Sequence, residues 1–208
     1  MQLYGGDARI DALFLAHINA KDLAHQSWCQ RGNFIGDDDD ARQILLDMAR
    51  ALAYLRTEKV LHQDIKPRNV LFSRTTGATL IDFGLGSFDG DAPSAGGTPW
   101  YIPPEFLASG ARAAPADVWA LGIVMLYLLK KVTLPDSGKD VAAWQIREVG
   151  SGRTAAEHMA QWLRRVETAR QLLVTNDIEG IVLQMLHPDP NLRIHAQRLL
   201  EEVKVLDK

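Results

Sequence analysis

The sequence has almost no cysteine. Cys29 is its single thiol, so no disulfide can close within the chain. That excludes a disulfide-stapled scaffold and suits a reducing, intracellular setting, cytoplasmic or nuclear. There is no excess of positive charge either. The formal net charge is −3, which argues against nucleic acid or an anionic membrane as partner. Long hydrophobic runs are missing. The longest, Val118 to Leu129, is only 12 residues, and a membrane-crossing helix needs about 20. The opening MQLYGGDAR has no apolar core of the kind a secretory signal carries. No repeat or low-complexity tract stands out, and the histidines lack zinc-ligand spacing.

What remains has the balance of one globular domain. The 208 residues are 47% apolar and 24% charged, enough to enclose a single core. Met1 to Asp7 reads as a short strand that breaks into a turn at Gly5-Gly6. Ile10 to Ala24 is weakly helical and Gln26 to Gly36 is loop-like. The acids Asp37 to Asp40 suit a helix start, where negative charge meets the positive end of the macrodipole. A calcium loop would need spaced ligands and a later Glu, which are not present. Ile44, Leu45, Met48, Leu52 and Leu55 then mark one helical stripe.

Val70 to Phe72 and Ala78 to Ile81 flank Thr75-Thr76-Gly77, which predicts a hairpin. Residues 84 to 98 read as a long exposed loop. Beyond them the chain is helical. Asp117 and Lys130-Lys131 suit the two ends of a buried helix. Thr154 and Glu157 form a capping-box pattern ahead of Met159, Trp162, Leu163, Val166 and Ala169. Two further helices follow around Ile178 to Met185 and Ile194 to Val203. The architecture expected is mainly α with a small β-hairpin element.

One stretch concentrates chemistry. Val60 to Leu71 reads VLHQDIKPRNVL, with His62, Asp64, Lys66 and Asn69 set between apolar flanks. Alone, an Asp with a Lys two residues on is a routine surface ion pair. Further segments follow in order: Asp82-Phe83-Gly84, Gly97-Thr98-Pro99-Trp100-Tyr101, Pro103-Pro104-Glu105, Asp117-Val118-Trp119 with Gly122, and Arg193.

Together these segments resemble the eukaryotic protein kinase family in its serine/threonine branch. HQDIKPRN stands where the family has H-R-D-x-K-P-x-N, DFG is intact, and PPE stands for A-P-E. The resemblance runs from the hinge to the last helix. It implies that residues 1–208 form a protein-kinase-like C-terminal lobe with the hinge, the N-terminal β-lobe being absent. The implied substrates are ATP and a protein Ser or Thr hydroxyl, with Mg²⁺ as cofactor. By resemblance, Asp64 takes the hydroxyl proton, Lys66 sets a cation near the moving phosphate, and Thr98 touches both. Asn69 and Asp82 hold the metal. The Leu3 backbone meets the adenine edge, Asp7 the ribose, and Leu71 the floor beneath the adenine; for Asp7 a helix N-cap is the other reading. Glu105 and Arg193 form a buried ion pair, Asp117 holds the catalytic loop's backbone, and His62 packs as scaffold.

The sequence also departs from the family pattern. It contains no G-x-G-x-x-G, and its first lysine is Lys21. A fragment of a longer chain and a natural half-kinase both fit, and a non-catalytic kinase-like scaffold is the alternative function. That scaffold would offer a partner the face where the other lobe sits. Gln63 replaces an Arg that usually pairs with a loop phosphate, so phosphorylation at Ser94 is expected to be a weak switch. Arg68 is expected to disfavour basic substrate residues. Ile194, where a Pro often follows the Arg, carries no functional consequence. The helix at 154–174 is additional length that either docks internally or binds a partner.

Overall fold

The computed structural model of the protein describes residues 17–91, 96–110, 112–137, 141–175 and 177–206, together with the backbone of two early strands. Those strands, β1 (Leu3–Asp7) and β2 (Ala12–Leu15), pair antiparallel. β1 runs through Gly5-Gly6, with an irregular register between Leu3 and Gly5, so the expected break at the glycines does not occur. The weak helix expected over Ile10 to Ala24 is likewise replaced by β2 and by β3 (Lys21–Asp22). β3 pairs with β7 (Val70–Ser73) through Lys21 to Phe72 and Asp22 to Leu71. Ladder bonds and sheet contacts override a marginal local propensity there. β4 (Cys29–Gln30) and β5 (Asn33–Phe34) make a small hairpin within the expected loop.

α1 (Asp38–Thr57) starts where the acids predict. The Asp37 carboxylate accepts from the Asp40 amide, and the Asp40 carboxylate accepts from the Asp37 amide. β6 (Val60–Leu61) leads into the polar stretch, which passes a short 3₁₀ turn at Pro67–Asn69. β7 (Val70–Ser73) and β8 (Gly77–Leu80) form the predicted hairpin. β9 (Ser87–Phe88) lies inside the segment read as loop and pairs with β6.

The remaining helices are α2 (Phe106–Ser109), α3 (Ala114–Leu128), α4 (Arg153–Gln171), α5 (Asp177–Met185) and α6 (Ala196–Leu206). α3 is the centre. Every residue from Ala116 to Leu128 is buried, because α1, α5 and neighbouring turns surround it. A Cβ at Gly122 would lie 2.8 Å from Leu186 Cδ2, so glycine lets α5 close onto α3. Asp117 is not the N-cap of this helix. The helix begins at Ala114 after Ala113, with Pro115 in its first turn, and the Asp117 carboxylate faces the polar loop instead.

α4 starts at Arg153 with Gly152 as N-cap, so the expected capping box does not form. Glu157 accepts from Arg153 Nε at 2.8 Å instead. The apolar face of α4 docks internally: Met159, Trp162 and Val166 are buried, and Trp162 Nε1 donates to the Trp100 carbonyl at 2.6 Å. Among the described residues, no helix is long and apolar enough to cross a membrane.

Candidate active site

The polar stretch forms a loop because its backbone is held from behind. The Asp117 carboxylate accepts from the His62 amide at 2.7 Å and from the Gln63 amide at 2.9 Å. Burial pushes the Asp117 carboxyl up, and the two amide bonds oppose that rise. Gln63 is held in a left-handed conformation at φ 65°, uncommon for a residue with a Cβ. His62 is buried. Its Nε2 lies 3.0 Å from the Ile81 carbonyl, and its Nδ1 lies 3.3 Å from the Asp64 amide. A ring with the proton on Nε2 satisfies both contacts, so His62 braces the loop.

Four side chains then converge. Thr98 Oγ1 donates to Asp64 Oδ1 at 2.7 Å. Lys66 Nζ donates to Asp64 Oδ2 at 2.6 Å and to Thr98 Oγ1 at 2.9 Å. Asn69 Nδ2 donates to the Asp64 carbonyl at 2.8 Å and to Asp64 Oδ2 at 3.2 Å. Asp64 and Asn69 are buried, whereas Lys66 and Thr98 are half-buried and line the way out. The structure thus brings together four of the residues expected at the site.

Asp82 reaches the same neighbourhood through the backbone, because the Ile81 amide donates to the Asn69 carbonyl at 2.9 Å. Asp82 is exposed, has φ 65°, and accepts from the Gly84 amide at 3.2 Å. Phe83 stands edge-on to His62 at 4.7 Å. Since Asn69 spends its NH₂ on Asp64, its amide oxygen is left as a hard donor, and Asp82 adds carboxylate oxygens. Each is an oxygen ligand of the kind a magnesium ion takes. No cluster of three or more His, Cys, Asp or Glu suited to a metal occurs among the described residues.

Leu71 alternates with the buried Val70 and Phe72, so its side chain lies on the β7 face opposite the core. Leu3 and Asp7 are described as backbone in β1, and their side chains lie outside the described residues, as does Ser94. Arg68 is paired, its Nε donating to Asp136 Oδ2 at 3.0 Å, which holds the guanidinium pKa above its ordinary value. Glu105 and Arg193 meet in a two-pronged pair, with both bonds at 2.8 Å.

Sequence reasoning missed three contributors. Ser87 accepts from Gln63 Nε2, Asp136 accepts from Arg68, and Arg112 donates to the Gln63 carbonyl at 2.8 Å. Arg112 stands alone among alanines just before α3, a context with no periodicity or spacing to single it out.

A family model described as protein kinase domain matches residues 11–203. Similar proteins include the ovarian-specific serine/threonine-protein kinase Lok of Drosophila melanogaster, 34% identical over 81% of this chain and 35% of its own length. CBL-interacting protein kinase 5 of Oryza sativa subsp. japonica is 28% identical over 79% of this chain and 34% of its own length. The probable LRR receptor-like serine/threonine-protein kinase RPK1 of Arabidopsis thaliana is 36% identical over 53% of this chain and 23% of its own length. The chain spans about a third or less of the length of these relatives.

Proposed function

The chain belongs to the protein kinase family, and on that premise we propose that it is the hinge and C-terminal lobe of a serine/threonine kinase. The reaction is transfer of the ATP γ-phosphoryl group to a protein hydroxyl. The observation that carries this reading is the closed cluster of Asp64, Lys66, Thr98 and Asn69. A structural loop has no need to gather a buried carboxylate, an ammonium, a hydroxyl and an amide at one exit.

Asp64 accepts the proton of the incoming hydroxyl as its oxygen bonds to the γ-phosphorus, and the bond from that phosphorus to the bridging oxygen breaks, leaving ADP. Lys66 lies beside Asp64 and offers ammonium protons to the charge spreading over the transferred group. Thr98 ties the two together and fixes the carboxylate's orientation. Asn69 and Asp82 would hold magnesium, which when bound would neutralise phosphate charge. By resemblance, Leu71 is assigned the floor beneath the adenine, the Leu3 backbone the adenine edge, and Asp7 the ribose.

The test compares the chain with its Asp64→Asn variant in Mg-ATP phosphotransfer to a mixed Ser/Thr substrate. Losing a general base lowers the rate by about 10²–10⁴-fold. Wild-type transfer no greater than that of the variant would sink the reading. A stability increase with Mg-ATP is expected, since binding to the folded state alone adds RT ln(1 + [L]/Kd). No transfer and no increase at millimolar nucleotide would favour a non-catalytic scaffold.

A further inference from the structure

The peptide leading into Thr98 is held from beneath by a side chain that the phosphotransfer reading does not use. Arg112 is buried just ahead of α3. Its Nη1 donates to the Gln63 carbonyl at 2.8 Å, and its Nη2 donates to the Gly96 carbonyl at 2.5 Å. One planar fork therefore joins two separate segments, each adjoining a member of the polar cluster. Gln63 immediately precedes Asp64. Gly96 lies two residues before Thr98.

The packing around the fork is built to admit it. Gly97 has φ 119°, and a Cβ there would sit 2.7 Å from Arg112 Nη1 and 3.3 Å from the Gln63 carbonyl oxygen. Only glycine leaves room for both the guanidinium and the turn. Gln63 has both backbone polar groups held, its amide by Asp117 and its carbonyl by Arg112. Such anchoring is what an uncommon φ 65° requires. Burial lowers the Arg112 pKa, and the charges of Asp117 and Asp64 oppose that fall. The side chain of Gln63 supplies no charge to this joint. It reaches Ser87 through Nε2, and its Oε1 is buried with no hydrogen-bond partner among the described residues.

We propose that Arg112 is a positioning residue that clamps Gly96 to Gln63, keeping Thr98 in register with Asp64 in the chain without any added phosphate. The inference rests on the phosphotransfer reading for its kinetic consequence, though not for its structural one. An arginine is needed because its rigid fork reaches two carbonyls at once. A lysine ammonium is a single point of donation on a flexible stem.

The experiment uses the chain with Arg112→Gln, Arg112→Lys and Asp64→Asn. Misplacing reacting groups by about 1 Å can lower a rate about 10²-fold, and a loss of that size in kcat is expected for Arg112→Gln. The KM for ATP stays unchanged, because Arg112 orients the base and not the nucleotide. Arg112→Lys recovers part of the rate. Hydrogen exchange gives a second readout at the Tyr101 amide, which donates to the Thr98 carbonyl at 3.1 Å. It quickens in Arg112→Gln while α1 amides keep their wild-type rates. Phosphatase treatment leaves wild-type kcat unchanged.

Wild-type kcat in Arg112→Gln would overturn the proposal, as would equal quickening of Tyr101 and α1, or a fall in kcat after phosphatase. If Arg112→Gln does not fold, Arg112→Lys carries the same comparison, and wild-type kcat with wild-type Tyr101 exchange overturns the clamp. If the chain transfers no more phosphate than Asp64→Asn, the phosphotransfer reading fails by itself. The exchange arm then decides the clamp, and unchanged Tyr101 exchange in both Arg112 variants refutes it.

Discussion

Two ion pairs in this molecule use the same kinds of group to opposite ends. Arg193 and Glu105 saturate each other. Both prongs of the guanidinium meet both carboxylate oxygens, Nη1 also reaches the Pro115 carbonyl, and Nε reaches the His187 carbonyl. The guanidinium further lies 5.0 Å from the Trp119 ring centroid, and the Arg193 side chain is 0% exposed. The guanidinium has no N–H group left to offer. Asp64 and Lys66 meet through a single prong, and their remaining capacity is shared with a hydroxyl and an amide. The Lys66 side chain is 19% exposed, so here the cation reaches solvent, whereas in the other pair the carboxylate is 20% exposed and the guanidinium is enclosed. A fully satisfied pair holds structure in place; a pair stabilised by neutral neighbours and open on one side can take part in a reaction.

Opposite patterns of damage follow, and the largest loss of stability belongs to the closed pair. Glu105→Ala leaves the Arg193 charge buried without its carboxylate, which typically destabilises by about 3–5 kcal/mol. Denaturant unfolding measures that directly. Asp64→Asn, by contrast, keeps the side-chain shape and releases a cation that is partly open to water, so a smaller loss of stability than that of Glu105→Ala is expected. Its damage appears as lost phosphotransfer. Equal destabilisation by the two variants would break the distinction between the pairs.

Thr98 provides a finer probe. Thr98→Val keeps the shape but removes the hydroxyl that donates to Asp64 Oδ1 and accepts from Lys66. A hydrogen bond to a charged group contributes about 1.5–3 kcal/mol, so kcat falls by about tenfold to a hundredfold if the bond matters to the reacting geometry. Chain stability falls by no more than about the same 1.5–3 kcal/mol, because Lys66 and Asp64 still meet. A variant that unfolds more readily but turns over normally would place Thr98 with the structural pair.

Which parts of this were legible in the sequence follows from the range of the forces. The cluster members Asp64, Lys66 and Asn69 lie within one loop, and Thr98 and Asp82 belong to short segments of recognisable order. Their convergence was legible through the resemblance of these segments to the family's motifs; composition marked only the hairpin between them. The β3 strand was not legible, because its support comes from β7 and the turn before it, across a long stretch of chain. Arg112 was invisible for a related reason. Its role depends on two carbonyls, and backbone carbonyls have no residue signature. The N-terminus of α4 misled in the other direction, since Glu157 could cap a helix or pair with Arg153, and the pair prevails.

The smallest expected effect comes from a third pair, at the rim. Asp40 is buried at the start of α1, while the Arg74 side chain that reaches it is 63% exposed. The hydrogen bond from Arg74 is the main cause holding the Asp40 carboxyl below its ordinary value of 3.8, with the Asp37 amide adding to it and burial opposing it. The sign of the pH dependence follows. A carboxyl depressed in the folded state binds fewer protons there than in the unfolded chain, so its contribution is present above pH 3.8 and disappears as pH falls through the depressed value. Arg74→Gln removes the main cause of the depression. Stability near neutral pH then drops slightly, and the loss of stability on acidification below 3.8 becomes shallower than in the wild type. Acid titration of the unfolding midpoint for both chains measures this. An unchanged acid limb would mean that the Asp37 amide, held within the capping box, and not the exposed guanidinium, sets the Asp40 charge; the rim pair would then contribute geometry alone.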